Sequence, residues 1–258
     1  MIEWIARGLR TGIVTTRYPK RPEHPPAGFR GRVDILEADH GMPHLEATCP
    51  TGAIHVNEDG RVSLDQGRCI LCGLCVAADP VRFAFAHGYE TATRRRASLI
   101  AGEPGADALE DLRATLGERS RTLRRSIHIR HVDAGSDGGE EWEIQALNNP
   151  YYDMQRLGFF FTLSPRHADI LLVTGAVTPA MRTPLLRAWE TMPEPKAVVA
   201  AGTDACSGGL SAAVETSAGG VDAVLPVDVY VPGSPPSPIA LLHGLLLATG
   251  VLTREAAA

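Results

Sequence analysis

Apolar positions follow two different rhythms along the chain, and the change between them divides it. Before residue 91 the apolar runs are short. Residues 53–56 and 61–64 read as two strands joined by a turn over 57–60. From residue 126 the runs lengthen and alternate with Gly- and Pro-rich loops. Segments 126–132, 168–175, 196–202 and 223–231 predict strands. A helix with Pro179 in its first turn and a closing helix over 238–252 lie between and after them. Strand–loop–helix repetition predicts an α/β domain, a parallel sheet covered by helices. Chemistry in such sheets gathers in the loops after the strands' carboxyl ends, here 133–140, 202–209 and 232–236.

The remaining stretches are weaker in pattern. Ile2, Ile5 and Leu9, with Trp4 beside them, give an opening helix one apolar face. That face packs either on its own domain or on a membrane partner, with Arg7 and Arg10 at the rim. Residues 18–26 are proline-rich and extended. Arg94, Arg95 and Arg96 read as a solvated face or a contact for an acidic partner. Residues 102–105 form a linker, and Ala108, Leu109, Leu112, Leu116 and Leu123 recur at helical spacing. Three parts result: 1–90, a connection over 91–125, and 126–258.

Composition narrows the function. The chain has 258 residues, 44% hydrophobic and 21% charged, with a net charge of −5. These values describe an ordinary globular protein and give no reason to expect a nucleic-acid partner. The first residues lack the basic region and long apolar core of a signal peptide, and the apolar run 239–252 is too short to span a bilayer. Five cysteines without an export signal point to a reducing compartment, the cytoplasm, and to metal binding.

Four of those cysteines carry the strongest chemical signal. Cys69, Cys72 and Cys75 stand at two-residue spacings, and Cys49-Pro50 lies upstream. This is the ligand pattern of a bacterial-ferredoxin iron–sulfur cluster, in which a tight run supplies three thiolates and a distant Cys-Pro the fourth. One 4Fe–4S cluster on Cys49, Cys69, Cys72 and Cys75 is the expected cofactor. A second cluster has no ligands: the places that would supply them hold Asp39, Met42, Leu45 and Asp79. A four-cysteine zinc site is the rival, although zinc ribbons usually pair two C-x2-C knuckles. Unliganded thiols are the third possibility, and the reducing compartment argues against disulfides.

Five segments of the second part occur in one order: Ile129-Arg130-His131-Val132-Asp133-Ala134-Gly135-Ser136, Ser164-Pro165-Arg166-His167-Ala168-Asp169, Val173-Thr174-Gly175, Met192-Pro193-Glu194-Pro195-Lys196 and Val227-Asp228-Val229-Tyr230-Val231-Pro232-Gly233. Together they resemble the small (20 kDa-type) subunit shared by respiratory complex I and membrane-bound energy-converting NiFe hydrogenases. Tyr18-Pro19 and Gly28-Phe29-Arg30-Gly31-Arg32 resemble the ferredoxin-like subunit of the same complexes. The resemblance implies a fusion: a small α+β ferredoxin-like domain followed by a flavodoxin-like parallel sheet. It also implies a non-catalytic electron-transfer subunit, with a large-subunit homologue and membrane-arm subunits as partners. The chain would then sit on the cytoplasmic face of the inner membrane through those partners. The alternative is a non-redox structural subunit docking the large-subunit homologue onto a membrane arm.

In the resembled family the three loops carry four cysteines that hold a cluster beside the large subunit. The hydrogenase-type pattern places them at Asp137, Glu140, Asp204 and Ser234, none of them cysteine. Cys206 lies two positions beyond the third place. Three readings of this vacated site are open: a cavity filled by water and polar side chains, a hard-cation site for Mg2+ or Ca2+, or a cluster of carboxylates that cannot all ionise. Arg130 and Arg166 are the candidates to neutralise it. His131, His167 and His243 are structural histidines or ligands. The loop 135–139 lacks the spacing of a phosphate-binding motif.

Overall fold

The computed structural model describes residues 2–37, 44–101, 126–212 and 214–255. The expected helix through Ala108 and Leu123, and the positions Asp39 and Met42, lie outside them. Helix α1 (Ile2–Thr11) opens the chain and leaves Trp4, Ile5 and Leu9 68%, 48% and 82% exposed. Among the described residues its apolar face packs on no domain, contrary to the first of the two expectations for it. Residues 15–23 instead lie along the second domain. The Thr16 amide donates to the Tyr151 carbonyl, Arg156 donates to the Tyr18 carbonyl, and Tyr18 is buried in that domain's core.

The first module contains two antiparallel sheets. Strand β1 (Arg32–Ile35) pairs with β4 (Phe83–Ala86), and β2 (Ile54–Val56) pairs with β3 (Val62–Asp65), as the turn signal at 57–60 predicted. Two one-turn helices, α2 (His44–Thr48) and α3 (Leu74–Ala78), bracket the cysteines. Val33, Leu45, Ile54, Val62, Leu64 and Phe83 form its small core, together with Cys69 and Cys75. A core of this size is marginal without a staple.

Residues 91–101 do not hang free between the parts. Thr93 pairs with Tyr230 at the edge of the large sheet, and β5 (Ile100–Ala101) joins β3 in the small one. Arg96 does not face solvent as the arginine run suggested. Its guanidinium grips Asp65 bidentately at 2.7 and 2.5 Å, because the buried Asp65 carboxylate needs a counter-charge.

The second domain is a five-stranded parallel sheet: β6 (Ile127–Asp133), β7 (Phe159–Phe161), β8 (Ile170–Thr174), β9 (Ala197–Ala201) and β10 (Val229–Val231). The spatial order β10-β9-β8-β6-β7, read from the β7 edge and counted within the domain, is 2-1-3-4-5, the flavodoxin-like winding. Strands β8 and β9 are buried at every position, since helices cover both faces. Ile170 and Leu172 face α7 (Pro238–Glu255), while Leu171 and Val173 face α5 (Pro179–Thr191). A fourth helix, α4 (Gly139–Ala146), follows β6, and the short α6 (Thr203–Ser207) follows β9. Strand β7 was not expected. Three consecutive phenylalanines show no alternation, and the strand forms only by pairing with β6 at the sheet edge. No helix among the described residues is long and apolar enough to cross a membrane.

Candidate functional site

The four predicted cysteines line one cavity in the first module, with Val33, Ile54 and Leu64 as its apolar wall. Cys69 and Cys75 are buried, Cys49 is half-buried and Cys72 is exposed at the mouth. The backbone shapes the loop around them. Leu71 and Gly73 adopt left-handed φ of 56° and 83°, which turns the chain tightly enough to aim successive thiols inward. Backbone amides point at the sulfurs: Ala53 donates to Cys49 Sγ at 3.2 Å, and the Leu71 and Val76 amides face Cys69 and Cys75. From outside, Arg30 donates to the Leu71 and Cys72 carbonyls at 3.1 and 3.3 Å and rests on the Phe85 ring. Burial, with Cys75, Cys49 and Cys72 adding to it, pushes the Cys69 thiol up to about 12. At that value the thiol stays neutral unless a cation beside it stabilises the thiolate.

The second cluster of side chains sits at the carboxyl edge of the large sheet. There the loops after β6, β9 and β10 converge. The Thr203 amide donates to the Gly233 carbonyl at 2.8 Å, and Gly139 lies against Pro235. Glu140, in the first turn of α4, is 3% exposed and packs on Gly202. A Cβ at position 202 would run into the Glu140 carboxyl as it is placed, and the left-handed φ of 97° there also favours glycine. Glu140 Oε2 is buried without a hydrogen-bond partner. Burial, then the charges of Asp137, Asp204 and Glu141, push the Glu140 carboxyl up to about 7. Burial and Asp137 also raise Asp204. Three of the four expected positions therefore share one electrostatic neighbourhood.

The rest of the expectation for this pocket is only partly met. Ser234 is exposed, although its loop lies at the pocket. Cys206 points the other way, with its thiol buried against the Ala200 carbonyl at 3.8 Å. Neither proposed arginine relieves the carboxylates. Arg166 precedes β8 and so lies at the amino edge of the sheet, and Arg130 acts on His131 instead. No group of three or more His, Cys, Asp or Glu side chains among the described residues is arranged to hold a metal ion.

Several contributors lay beyond sequence reasoning. Glu141 accepts hydrogen bonds from the Thr174 and Ser136 hydroxyls at 2.6 and 2.7 Å, with His131 Nε2 at 3.5 Å. The buried Thr203 hydroxyl donates to the Cys69 carbonyl at 3.0 Å, tying the cysteine loop to the loop that carries Asp204. Arg30 belongs to a segment that carried the resemblance, but nothing in its spacing indicated a contact with the cysteine loop.

Comparison with known proteins identifies relatives of the parallel-sheet domain. Residues 138–248 match the family described as NADH ubiquinone oxidoreductase, 20 Kd subunit. A probable membrane-bound hydrogenase subunit of Pyrococcus furiosus is 41% identical over 145 residues, 55% of this chain and 86% of that protein. The chain belongs to the 20 Kd subunit family. Formate hydrogenlyase subunit 7 of Escherichia coli is 43% identical over 149 residues, 58% of this chain. The chain spans 57% of that relative's length. Among solved structures, the membrane-bound sulfane sulfur reductase, an archaeal respiratory membrane complex, has a matching chain at 31% identity. That match covers 53% of this chain and 76% of the other, with a TM-score of 0.46. The 20 Kd family match takes in Glu140, Asp204 and Ser234, whereas the four-cysteine cavity lies outside it.

Proposed function

We propose that this chain is the iron–sulfur subunit of a membrane-associated complex of the complex I or energy-converting hydrogenase kind. It would hold one 4Fe–4S cluster on Cys49, Cys69, Cys72 and Cys75 and none in its parallel-sheet domain. The observation that carries this reading is the shared cavity of the four thiols, with backbone amides directed at three of the sulfurs. Such donors stabilise sulfur-borne negative charge and tune a cluster's potential. A cubane offers each thiolate a separate iron, so its ligands need not close around one ion as zinc ligands do. The group would supply one-electron transfer. The protein's own part is to hold the thiolates, restrict water through Val33, Ile54 and Leu64, and brace the loop with Arg30.

In this reading the first module is ferredoxin-like and fused to the 20 Kd-type domain. The partners are a large-subunit homologue and membrane-arm subunits on the cytoplasmic face of the inner membrane. The relatives are subunits of a formate hydrogenlyase and a membrane-bound hydrogenase, which supports partners in a membrane complex.

A specific observation favours a second reading, a structural subunit with an electronically silent cluster. The vacated pocket presents carboxylates where electrons would leave toward the partner. Iron and acid-labile sulfide analysis, followed by redox titration of the complex during turnover, decides between them. About four irons per chain and a cluster that cycles between oxidation states support electron transfer. A cluster that stays in one state supports the structural role, and absence of iron removes both.

A further inference from the structure

We propose that the vacated pocket of the parallel-sheet domain is a proton-binding site, in which Glu140 takes up and releases one proton between the loops that follow β6, β9 and β10. The exchange balances simply: the carboxylate gains a proton from water and loses its charge, and the reverse step returns it.

Geometry carries the proposal. Glu140 is 3% exposed, and its Oε2 has no partner, which is costly for an ionised carboxylate and far less so for a carboxylic acid. The neighbouring Glu141, one position along α4, is satisfied by two hydroxyl donors, so the deficit at Glu140 is local rather than a property of the helix. The charged groups that act most strongly on Glu140 are acidic: Asp137 from the loop after β6, Asp204 from α6, and Glu141 from its own helix. Helix α7 also packs along α4, but between Pro238 and Gly250 it carries one titratable side chain, His243, whose Nδ1 accepts the Ala92 amide.

The flanking carboxylates are anchored rather than turned inward as ligands. Asp137 Oδ1 accepts the Gly139 amide at 2.9 Å, and Asp204 lies against Gly209. A divalent ion would need several oxygens converging on one point. A proton needs one. Asp137 is exposed at the rim, so the pocket is open to exchange with water. Burial and the three acidic neighbours hold the carboxyl near neutrality, where uptake and release both occur. The pocket thus changes its charge by one unit at a place where the resembled family keeps a redox group. None of this depends on whether the cysteines hold a cluster.

Infrared difference spectroscopy on the full-length chain, stepped between about pH 5 and about pH 9, tests the proposal. A protonated-carboxyl C=O band should disappear with a midpoint near 7 and be missing in Glu140→Gln. Asp137→Asn, at an exposed position that leaves packing intact, should lower the midpoint, because one negative neighbour is removed. The proposal fails if the wild-type chain shows no such band. It also fails if the band persists in Glu140→Gln or if its midpoint is unmoved in Asp137→Asn. Millimolar Mg2+ or Ca2+ binding to the wild type that Glu140→Gln abolishes would also overturn it, in favour of a cation site.

Discussion

The loop bearing Cys69, Cys72 and Cys75 and the pocket around Glu140 each draw ionisable side chains into a hollow, yet the backbone treats the two differently. Around the cysteines, amides from Ala53, Leu71 and Val76 face sulfur, and Arg30 holds the loop from behind. Around Glu140 the neighbours are Asp137, Asp204 and Glu141, and one carboxyl oxygen is left bare. The first hollow has donors that favour charge on sulfur, as the proposed cluster would need. The second is relieved most simply by making one side chain neutral. Loop convergence alone does not say which chemistry a site performs; the donors around it do.

The sharpest way to break this contrast is Cys72→Ser. Cys72 is exposed, so the substitution disturbs little packing, and any collapse reports the missing ligand. Iron content should fall from about four per chain toward zero. Residues 32–86 should become protease-sensitive while 127–250 stay resistant, because the small core needs the staple and the large sheet does not. Equal sensitivity of both parts would show that they fold as one unit. About eight irons in the unmutated chain would mean that the Glu140 pocket is misassigned.

Next in size is Arg96→Ala, which leaves the buried Asp65 carboxylate without its bidentate partner. We expect a loss of about 3 kcal/mol in chemical denaturation. The half-exposed pair Arg32–Asp34 is the control, and breaking it should cost below about 1 kcal/mol.

Glu140→Gln sharpens the other side of the comparison. In the unfolded chain a glutamate titrates at 4.5, and in the folded chain burial holds this one at about 7. The folded state therefore binds more protons between those values, and stability falls as pH rises through that window. The variant lacks that slope. It should match the parent near the lower limit and exceed it by roughly 3 kcal/mol above the upper one. Thermal unfolding across the range measures it, and parallel pH profiles would show that Glu140 is ionised throughout.

Much of this contrast was legible in the sequence, for identifiable reasons. Cysteine spacing is a local constraint, so Cys49, Cys69, Cys72 and Cys75 could be grouped without a fold. Long buried strands such as Ile170–Thr174 and Ala197–Ala201 announce themselves as continuous apolar runs. Asp137, Glu140 and Asp204 were brought together by topology, since loops after neighbouring parallel strands meet on one edge. What escaped depends on contacts far apart in sequence. Arg96 reads as one of three surface arginines until Asp65 is set beside it. Phe159–Phe161 carries no strand signature of its own. Arg166 was expected near the pocket because its segment adjoins β8, but it adjoins the wrong end.

The smallest effect tests a bond that joins the two regions. The Thr203 hydroxyl, buried with its residue 1% exposed, donates to the carbonyl of Cys69 at 3.0 Å. Valine has nearly the same shape but no donor, so Thr203→Val keeps the packing and leaves that carbonyl unpaired. The expected loss is about 1 kcal/mol, the usual net worth of a neutral hydrogen bond. Its location matters more than its size. Because the bond anchors the cysteine loop to α6, its loss should speed hydrogen exchange at amides 70–75 while leaving those of β8 and β9 unchanged. If exchange quickens equally in β8, the bond supports the whole molecule and the two sites are not separable. If it quickens nowhere, Arg30 alone is enough to hold the loop.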